Sequence, residues 1–238
     1  AEFSLNDLDV TLLDTPGHVD FSAEAERTLR VLDCAILVIS GTDGVQPHTL
    51  TLWQLLARYQ VPVFLFINKM DLPGLTREAL LQQLQQQLDE KCTDFQVTPQ
   101  QLAESAAMCD EALLESYLES GGISAGQLRK LVAERRIFPC CFGSALKLDG
   151  VDTLLEFLDS YSPQPVSSDA FGALVYKISR DPQGNRLTWL KVTGGCLAVR
   201  SNISYTTQKG ETLEEKVVQL RLYSGEKFTA TEEASAGQ

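Results

Sequence analysis

Three short stretches of this sequence place reactive residue types at spacings that suit one chemistry. The first is "LLDTPGHVDF" (12–21), where an apolar run ends on Asp14 and turns sharply through Thr-Pro-Gly-His. In open parallel sheets, ligands bind beyond the carboxyl ends of the strands. A carboxylate at such an end can hold a hydrated Mg²⁺ that bridges nucleotide phosphates, so Asp14 is a candidate metal residue acting through water. Gly17 lets the backbone approach a γ-phosphate and offer its N–H. His18 could position an attacking water, as a catalytic residue. Alone, D-x-x-G is a weak pattern, which a strand-end turn with a helix-capping aspartate explains equally well.

The second stretch is "NKMD" (68–71), at the end of the apolar run "VPVFLFI". Asp71 can accept two N–H bonds from a guanine edge, N1–H and the 2-amino group; adenine offers no such pair. Charge-assisted bonds of this kind are worth about 1.5–3 kcal/mol each in a dry site. Asn68 can bridge to the carbonyl side of the base and tie neighbouring loops. The aliphatic stem of Lys69 can cover the base plane. The third stretch is "GSAL" (143–146), after "IFPCCF". Ser144 can brace the loop, the Ala145 N–H can reach guanine O6, and Leu146 completes the set of candidate nucleotide-contacting residues. A polar loop and a small-residue turn are the plain alternatives. All three stretches in this order, each at a strand end, argue against coincidence.

The elements that must position these residues follow from periodicity. Residues 3–14 read as two strands around a turn, and 20–32 as a helix with Phe21, Ala25, Leu29 and Leu32 on one face. "AILVIS" and "VPVFLFINKMD" are continuous apolar runs of the kind covered on both faces, with the helical "HTLTLWQLLARYQ" between them. This alternation predicts a parallel sheet. The stretch 76–135 reads as helical and polar, with a proline-led cap at Thr98 and a capping box from Ser124 to Gln127. "GVDTLLEFLDSY" is a helix and "SPQPVSSD" a linker. After residue 169, four strand-like runs separated by "DPQGN", "GG", "QKGE" and "SGE" predict a small antiparallel β domain.

Composition narrows the classes. The chain has 238 residues, 44% of them hydrophobic, enough for one large or two smaller packed units. No apolar run reaches the roughly 20 residues of a membrane helix, and no signal peptide is visible. The formal charge of −12 argues against a general nucleic-acid binder and against direct sequence-specific DNA binding. Six cysteines without C-x-x-C spacing read as free thiols in a reducing compartment. Cys140, Cys141, Trp53 and Trp189 read as packing residues, His48 as a loop or helix-start residue, and "GETLEEK" as a solvated turn.

"DTPGHVDF", "GTDGVQPHT", "FINKMD" and "GSALKLDGVDTLLEFLDSYSPQP" resemble the translational GTPases. The nearest groups are elongation factor G and the tetracycline-resistance ribosomal protection proteins. "ALVYKISRDPQGNRLTWLKVTGG" is similar to the start of their second, β-barrel domain. The insert between "NKMD" and "GSAL", residues 72–142, is closer in length to that of the protection proteins. The resemblance implies an α/β, P-loop-NTPase-like GTPase domain over 1–165 and a truncated antiparallel β-barrel over 166–238. It implies GTP or GDP with Mg²⁺ as cofactors, the ribosome as partner, a cytoplasmic setting, and His18 as the residue near the attacking water. Hydrolysis would drive translocation, or ribosome remodelling with tetracycline protection. No G-x-x-x-x-G-K-[ST] occurs in the sequence, nor an "RGIT"-type segment. The expectation is therefore a fragment cut at both ends, with little hydrolysis of its own. The missing first strand would leave open edges on "VTLLD" and "AILVIS". The alternative is a non-catalytic guanine-nucleotide or ribosome-binding module.

Overall fold

The computed structural model describes residues 2–6, 8–14, 23–109, 111–164, 168–207, 210–225 and 227–238. The chain forms two compact units, one from Ala1–Val31 with Pro165–Gln238 and the other from Leu32–Gln164.

In the first unit, β1 (Glu2–Leu5) and β2 (Leu8–Thr11) form an antiparallel hairpin, and helix α1 (Ala23–Leu29) follows. In the second unit the elements are β3 (Ala35–Ser40), α2 (Pro47–Arg58), β4 (Val63–Asn68), α3 (Arg77–Gln87), β5 (Cys92–Asp94), α4 (Pro99–Ala107), α5 (Glu111–Ser120), α6 (Ala125–Ala133), β6 (Phe138–Phe142) and α7 (Val151–Tyr161). Strands β3, β4, β6 and β5 lie in that order in one parallel sheet. The outer side of β3 pairs with no strand among the described residues. Val63, Phe64, Leu65 and Ile67 of β4 are all fully buried. Successive side chains of a strand point to opposite faces, so both faces of this strand are covered, and the unbroken apolar run in the sequence has this cause.

The helices start where local chemistry starts them. Thr98 and Ser124 accept N–H bonds from Gln101 and Gln127, whose side chains bond back to the cap N–H groups, and Pro99 opens α4. Thr76 caps α3 by accepting from the Ala79 N–H. Strand β5 corrects the sequence reading of 76–135 as helical throughout. Three residues are too few to show alternation, and β5 exists because β6 offers it a parallel partner. The sheet packs around Trp53 against Phe138, ring centroids 4.6 Å apart, and Phe95 against Tyr161 at 5.4 Å.

At the end of β5, Asp94 accepts two bonds from Arg77, at 2.6 Å from Nε and 2.5 Å from Nη2, and a third from the Gln96 N–H. The Arg77 side chain is 36% exposed and that of Asp94 only 11%. Removing the carboxylate with Asp94→Ala strands the guanidinium. Fully buried pairs lose about 3–5 kcal/mol this way, and the partial exposure of Arg77 lowers the expected loss to about 2–3 kcal/mol. Urea unfolding of the variant checks this. A loss below about 0.5 kcal/mol would show that the pair is no more than a surface contact.

Cys140 and Cys141 are buried strand residues. Burial pushes the Cys141 thiol up to about 12, and burial beside Cys92 pushes the Cys140 thiol up as well. Thiolate is the reactive form. At about pH 8 a maleimide should label exposed Cys196 in the native protein, slowed because Glu233 holds its thiol up, and Cys140 and Cys141 only after unfolding. Peptide mapping of the labelled protein reads this directly.

The rest of the first unit is antiparallel: β7 (Gly172–Arg180), β8 (Arg186–Gly194), β9 (Cys196–Ala198), β10 (Asn202–Thr206), β11 (Thr212–Lys216), β12 (Leu220–Ser224), β13 (Lys227–Thr231) and β14 (Glu233–Ser235). They pair as β7–β8, β10–β11, β12–β13 and β9–β14. Val192, Leu197 and Ala234 form a small buried cluster there. Trp189 is half-buried against Tyr223, and its indole N–H donates to Ser179 Oγ at 2.8 Å. The "DPQGN" turn closes on buried Asp181, which accepts the N–H groups of Gln183 and Asn185.

Candidate functional site

The strand register brings three loops to one edge of the parallel sheet. Ser40 pairs with Asn68 and Ile67 with Phe142, so β3, β4 and β6 end together. The segments after them begin at Gly41, Lys69 and Gly143, and backbone bonds join them. Gly41 N–H donates to the Asn68 carbonyl at 2.7 Å, Met70 N–H to the Gly143 carbonyl at 3.0 Å, and Gly143 N–H to the Ile67 carbonyl at 2.9 Å.

Asn68 stands at the centre. Its Oδ1 accepts the Lys69 N–H at 2.8 Å and the Ala145 N–H at 2.9 Å. Two N–H donors on one atom identify that atom as the amide oxygen. The other end of the amide, Nδ2, is then the donor end. The Ala145 N–H, read from sequence as a donor to a guanine carbonyl, is given to Asn68 here. Lys69 sits at φ +67°, a left-handed backbone that costs a lysine about 1 kcal/mol and re-aims the chain after the strand.

Asp71 follows in the same loop. Its side chain is 16% exposed, and Lys147 Nζ lies 3.3 Å from its Oδ2. Its carboxyl is held below the usual carboxylate range, first by the Ser144 hydroxyl and then by Lys147. Ser144 is buried, and its Oγ lies outside hydrogen-bond geometry with any described partner, so its effect on Asp71 is that of a nearby dipole. Asp71 therefore stays ionised, the state that accepts N–H groups. Asp43, after β3, is held low by the Ser40 and Thr42 hydroxyls and by the charge of Lys69.

The third loop is pinned at both ends. Ser144 and Asp149 exchange backbone bonds at 2.9 and 3.0 Å, enclosing a 3-10 turn over Ala145–Lys147. Leu146 projects from it, 91% exposed. Behind the loop, the Gln96 amide accepts the Phe142 N–H at 2.9 Å and donates to the Phe142 carbonyl at 3.1 Å. It thus continues the ladder past the end of β5. Arg77 lies over the Phe142 ring, 4.8 Å from its centroid.

Asn68, Lys69, Asp71, Ser144, Ala145 and Leu146 are thus brought together on one sheet edge. Asp14 is exposed in the irregular stretch after β2 and belongs to the other compact unit. Gly17 and His18 lie outside the described residues. Sequence reasoning did not single out Lys147 or Gln96. Lys147 directly follows Leu146, but no spacing rule pairs it with Asp71. Gln96 lies in a stretch read as helical.

A parallel sheet whose carboxyl edge carries "GTDG", "NKMD" and "GSAL" loops, with antiparallel strands in a separate unit, defines an α/β GTPase-type protein. The chain belongs to the translational GTPase family: residues 1–164 match the elongation factor Tu GTP binding domain. It is 31% identical to an elongation factor G of Mycoplasma pneumoniae, over 96% of this chain and 43% of that protein. It is also 31% identical to an oxytetracycline resistance protein of Streptomyces rimosus, over 100% of this chain and 41% of that protein. A solved structure from Thermus thermophilus shares the fold at a TM-score of 0.83 and 24% identity, over 100% of this chain and 42% of that one. The chain thus spans about two fifths of the length of these relatives. None of the described helices is long and apolar enough to cross a membrane.

Proposed function

We propose that residues 1–165 form the nucleotide domain of a ribosome-associated translational GTPase of the cytoplasm and supply its guanine recognition; they hold no phosphate-cradling G-x-x-x-x-G-K-[ST], so little GTP hydrolysis is expected of these residues by themselves. The observation that carries this reading is the double acceptance at Asn68 Oδ1, which ties the "NKMD" loop to the "GSAL" loop, with the ionised Asp71 in the first of them and paired to Lys147 of the second. A carboxylate accepting N1–H and the 2-amino group, with an amide donor on the carbonyl side, fits guanine and rejects adenine. Lys69 and Leu146 would cover the two faces of the base, which gives a use to the 91% exposure of Leu146.

Gly17 would meet the γ-phosphate, and His18 would orient water. The segment 14–29 would act as a switch that relaxes once the γ-phosphate is lost. Mg²⁺ binds through one or two carboxylates and keeps several waters, so the single exposed carboxylate of Asp14 suits it. Bound there, the ion would neutralise phosphate charge; Asp14 would hold its water shell. The 31% identity to both relatives is compatible with either a translocation or a tetracycline-protection role on the ribosome.

Nuclear magnetic resonance titration of the ¹⁵N-labelled chain with GDP, and with ADP as control, tests the binding step. GDP should move the Lys69, Ala145 and Leu146 amides, and ADP should leave them in place. Equal responses to the two nucleotides would refute the reading.

A further inference from the structure

We infer that Lys147 is a positioning residue that straps Asp71 across the two base-reading loops and so sets discrimination for the guanine 2-amino group. The inference rests on the guanine reading above and adds a residue to it.

An ionised carboxylate offers about four acceptor sites. Two N–H groups of a guanine edge take one site on each oxygen, which requires the carboxylate plane to face that edge. A side chain with two free torsions does not hold such a plane unaided. Asn68, at the end of β4, is fixed by two backbone donors. Asp71 has Lys147, whose Nζ lies 3.3 Å from Oδ2. One oxygen is thereby anchored, and both keep a site for the base.

The backbone under Lys147 is built to hold it there. Lys147 N–H donates to the Ser144 carbonyl at 3.0 Å and Leu148 N–H to the Ala145 carbonyl at 3.2 Å, which closes the 3-10 turn. Leu148 completes it at φ +61°, a left-handed backbone unusual for leucine. The turn therefore connects two ties between the same pair of loops. Ala145 N–H reaches back to Asn68, and Lys147 Nζ reaches back to Asp71. Loss of the second tie frees the carboxylate to rotate while the first keeps the loops in register. A base that needs both carboxylate oxygens then suffers more than a base that needs one.

Inosine diphosphate supplies that comparison, because it keeps N1–H and lacks the 2-amino group. The Lys147 side chain is 63% exposed, and pairs this exposed change an equilibrium constant by only about two- to fivefold. Titrations of the wild-type chain, K147M and K147R with GDP, IDP and ADP give the test. We expect K147M to bind GDP about three- to fivefold more weakly, with IDP binding within about twofold of wild type. K147R, which keeps the charge, should restore most of the GDP preference. In wild type, raising salt to about 1 M should erode the GDP-over-IDP ratio towards that of K147M.

An equal loss for GDP and IDP in K147M overturns the inference, since it marks a general loosening of the loop. No change overturns it, and so does tighter GDP binding, which would make the ammonium a competitor for Asp71. If K147M fails to fold, K147R and the salt series carry the decision on their own. A wild-type chain that binds GDP and ADP alike is a different failure: it removes the guanine reading itself, and the strap with it.

Discussion

Asp71→Asn is expected to lower GDP affinity by about a hundred- to ten-thousandfold and to transfer recognition to xanthosine diphosphate. Two charge-assisted bonds of about 1.5–3 kcal/mol each are at stake, and each 1.4 kcal/mol is a factor of about ten. The amide replaces one acceptor oxygen with an NH₂ donor. Guanine presents its own NH₂ at that place, so two donors meet and neither finds a partner. Xanthine keeps N1–H but carries a carbonyl at C2, so the amide oxygen accepts from N1–H and the amide nitrogen donates to the carbonyl. The substitution is nearly isosteric, so what changes at the base edge is donor and acceptor rather than shape. Competition titrations with GDP and XDP measure both arms. GDP binding within tenfold of wild type would remove Asp71 from the base edge.

Gly143→Ala is expected to abolish guanine binding by a different route. A methyl at residue 143 would stand 2.2 Å from the Asp149 carbonyl oxygen and 3.1 Å from Gly150 Cα. Those atoms are backbone, and they belong to the segment that exchanges bonds with Ser144. They cannot rotate away as a side-chain tip could. The 143–150 loop must open, and with it go the Ser144–Asp149 bonds and the place of Ala145 beside Asn68. The same approach is tight from the other side: Gly150 holds φ +73°, and a Cβ there would stand 2.7 Å from the Phe142 carbonyl oxygen. Overpacking of this kind costs about 2–3 kcal/mol. The second unit should therefore stay folded with a lower unfolding midpoint, while GDP no longer moves the Lys69 and Leu146 amides. Wild-type GDP response in a folded G143A variant would show that the loop tolerates opening.

The legible parts of this molecule share a cause. β4 and β6 could be read because a strand covered on both faces is apolar along its buried length, and "VFLFI" and "FPCCF" are so. The caps at Thr98 and Ser124 could be read because capping is local, within three residues. The candidate base-contacting residues could be read because they lie at or just beyond the ends of those strands. The parts that could not be read depend on partners far along the chain. β5 is three residues long and gains its identity from β6. Arg77 and Asp94 are 17 residues apart, and Gln96 and Phe142 are 46 apart. Lys147 and Asp71 meet only once two strands have paired in parallel. The last of the four strand-like runs after residue 169, "EKVVQLRLY" (215–223), is split into β11 and β12. The break falls where the Val217 N–H turns to the Ser201 carbonyl at 2.9 Å and Val218 is left 84% exposed.

On the proposed reading, the loops after β4 and β6 form one guanine-reading surface. The most direct measurement is a titration of wild type and D71N with GDP, XDP and ADP, following the Lys69, Ala145 and Leu146 amides. The account predicts that GDP moves these amides in wild type, that XDP moves the same set in D71N, and that ADP moves them in neither. Nucleotide responses that ignore the base, or that appear away from these three residues, would contradict it.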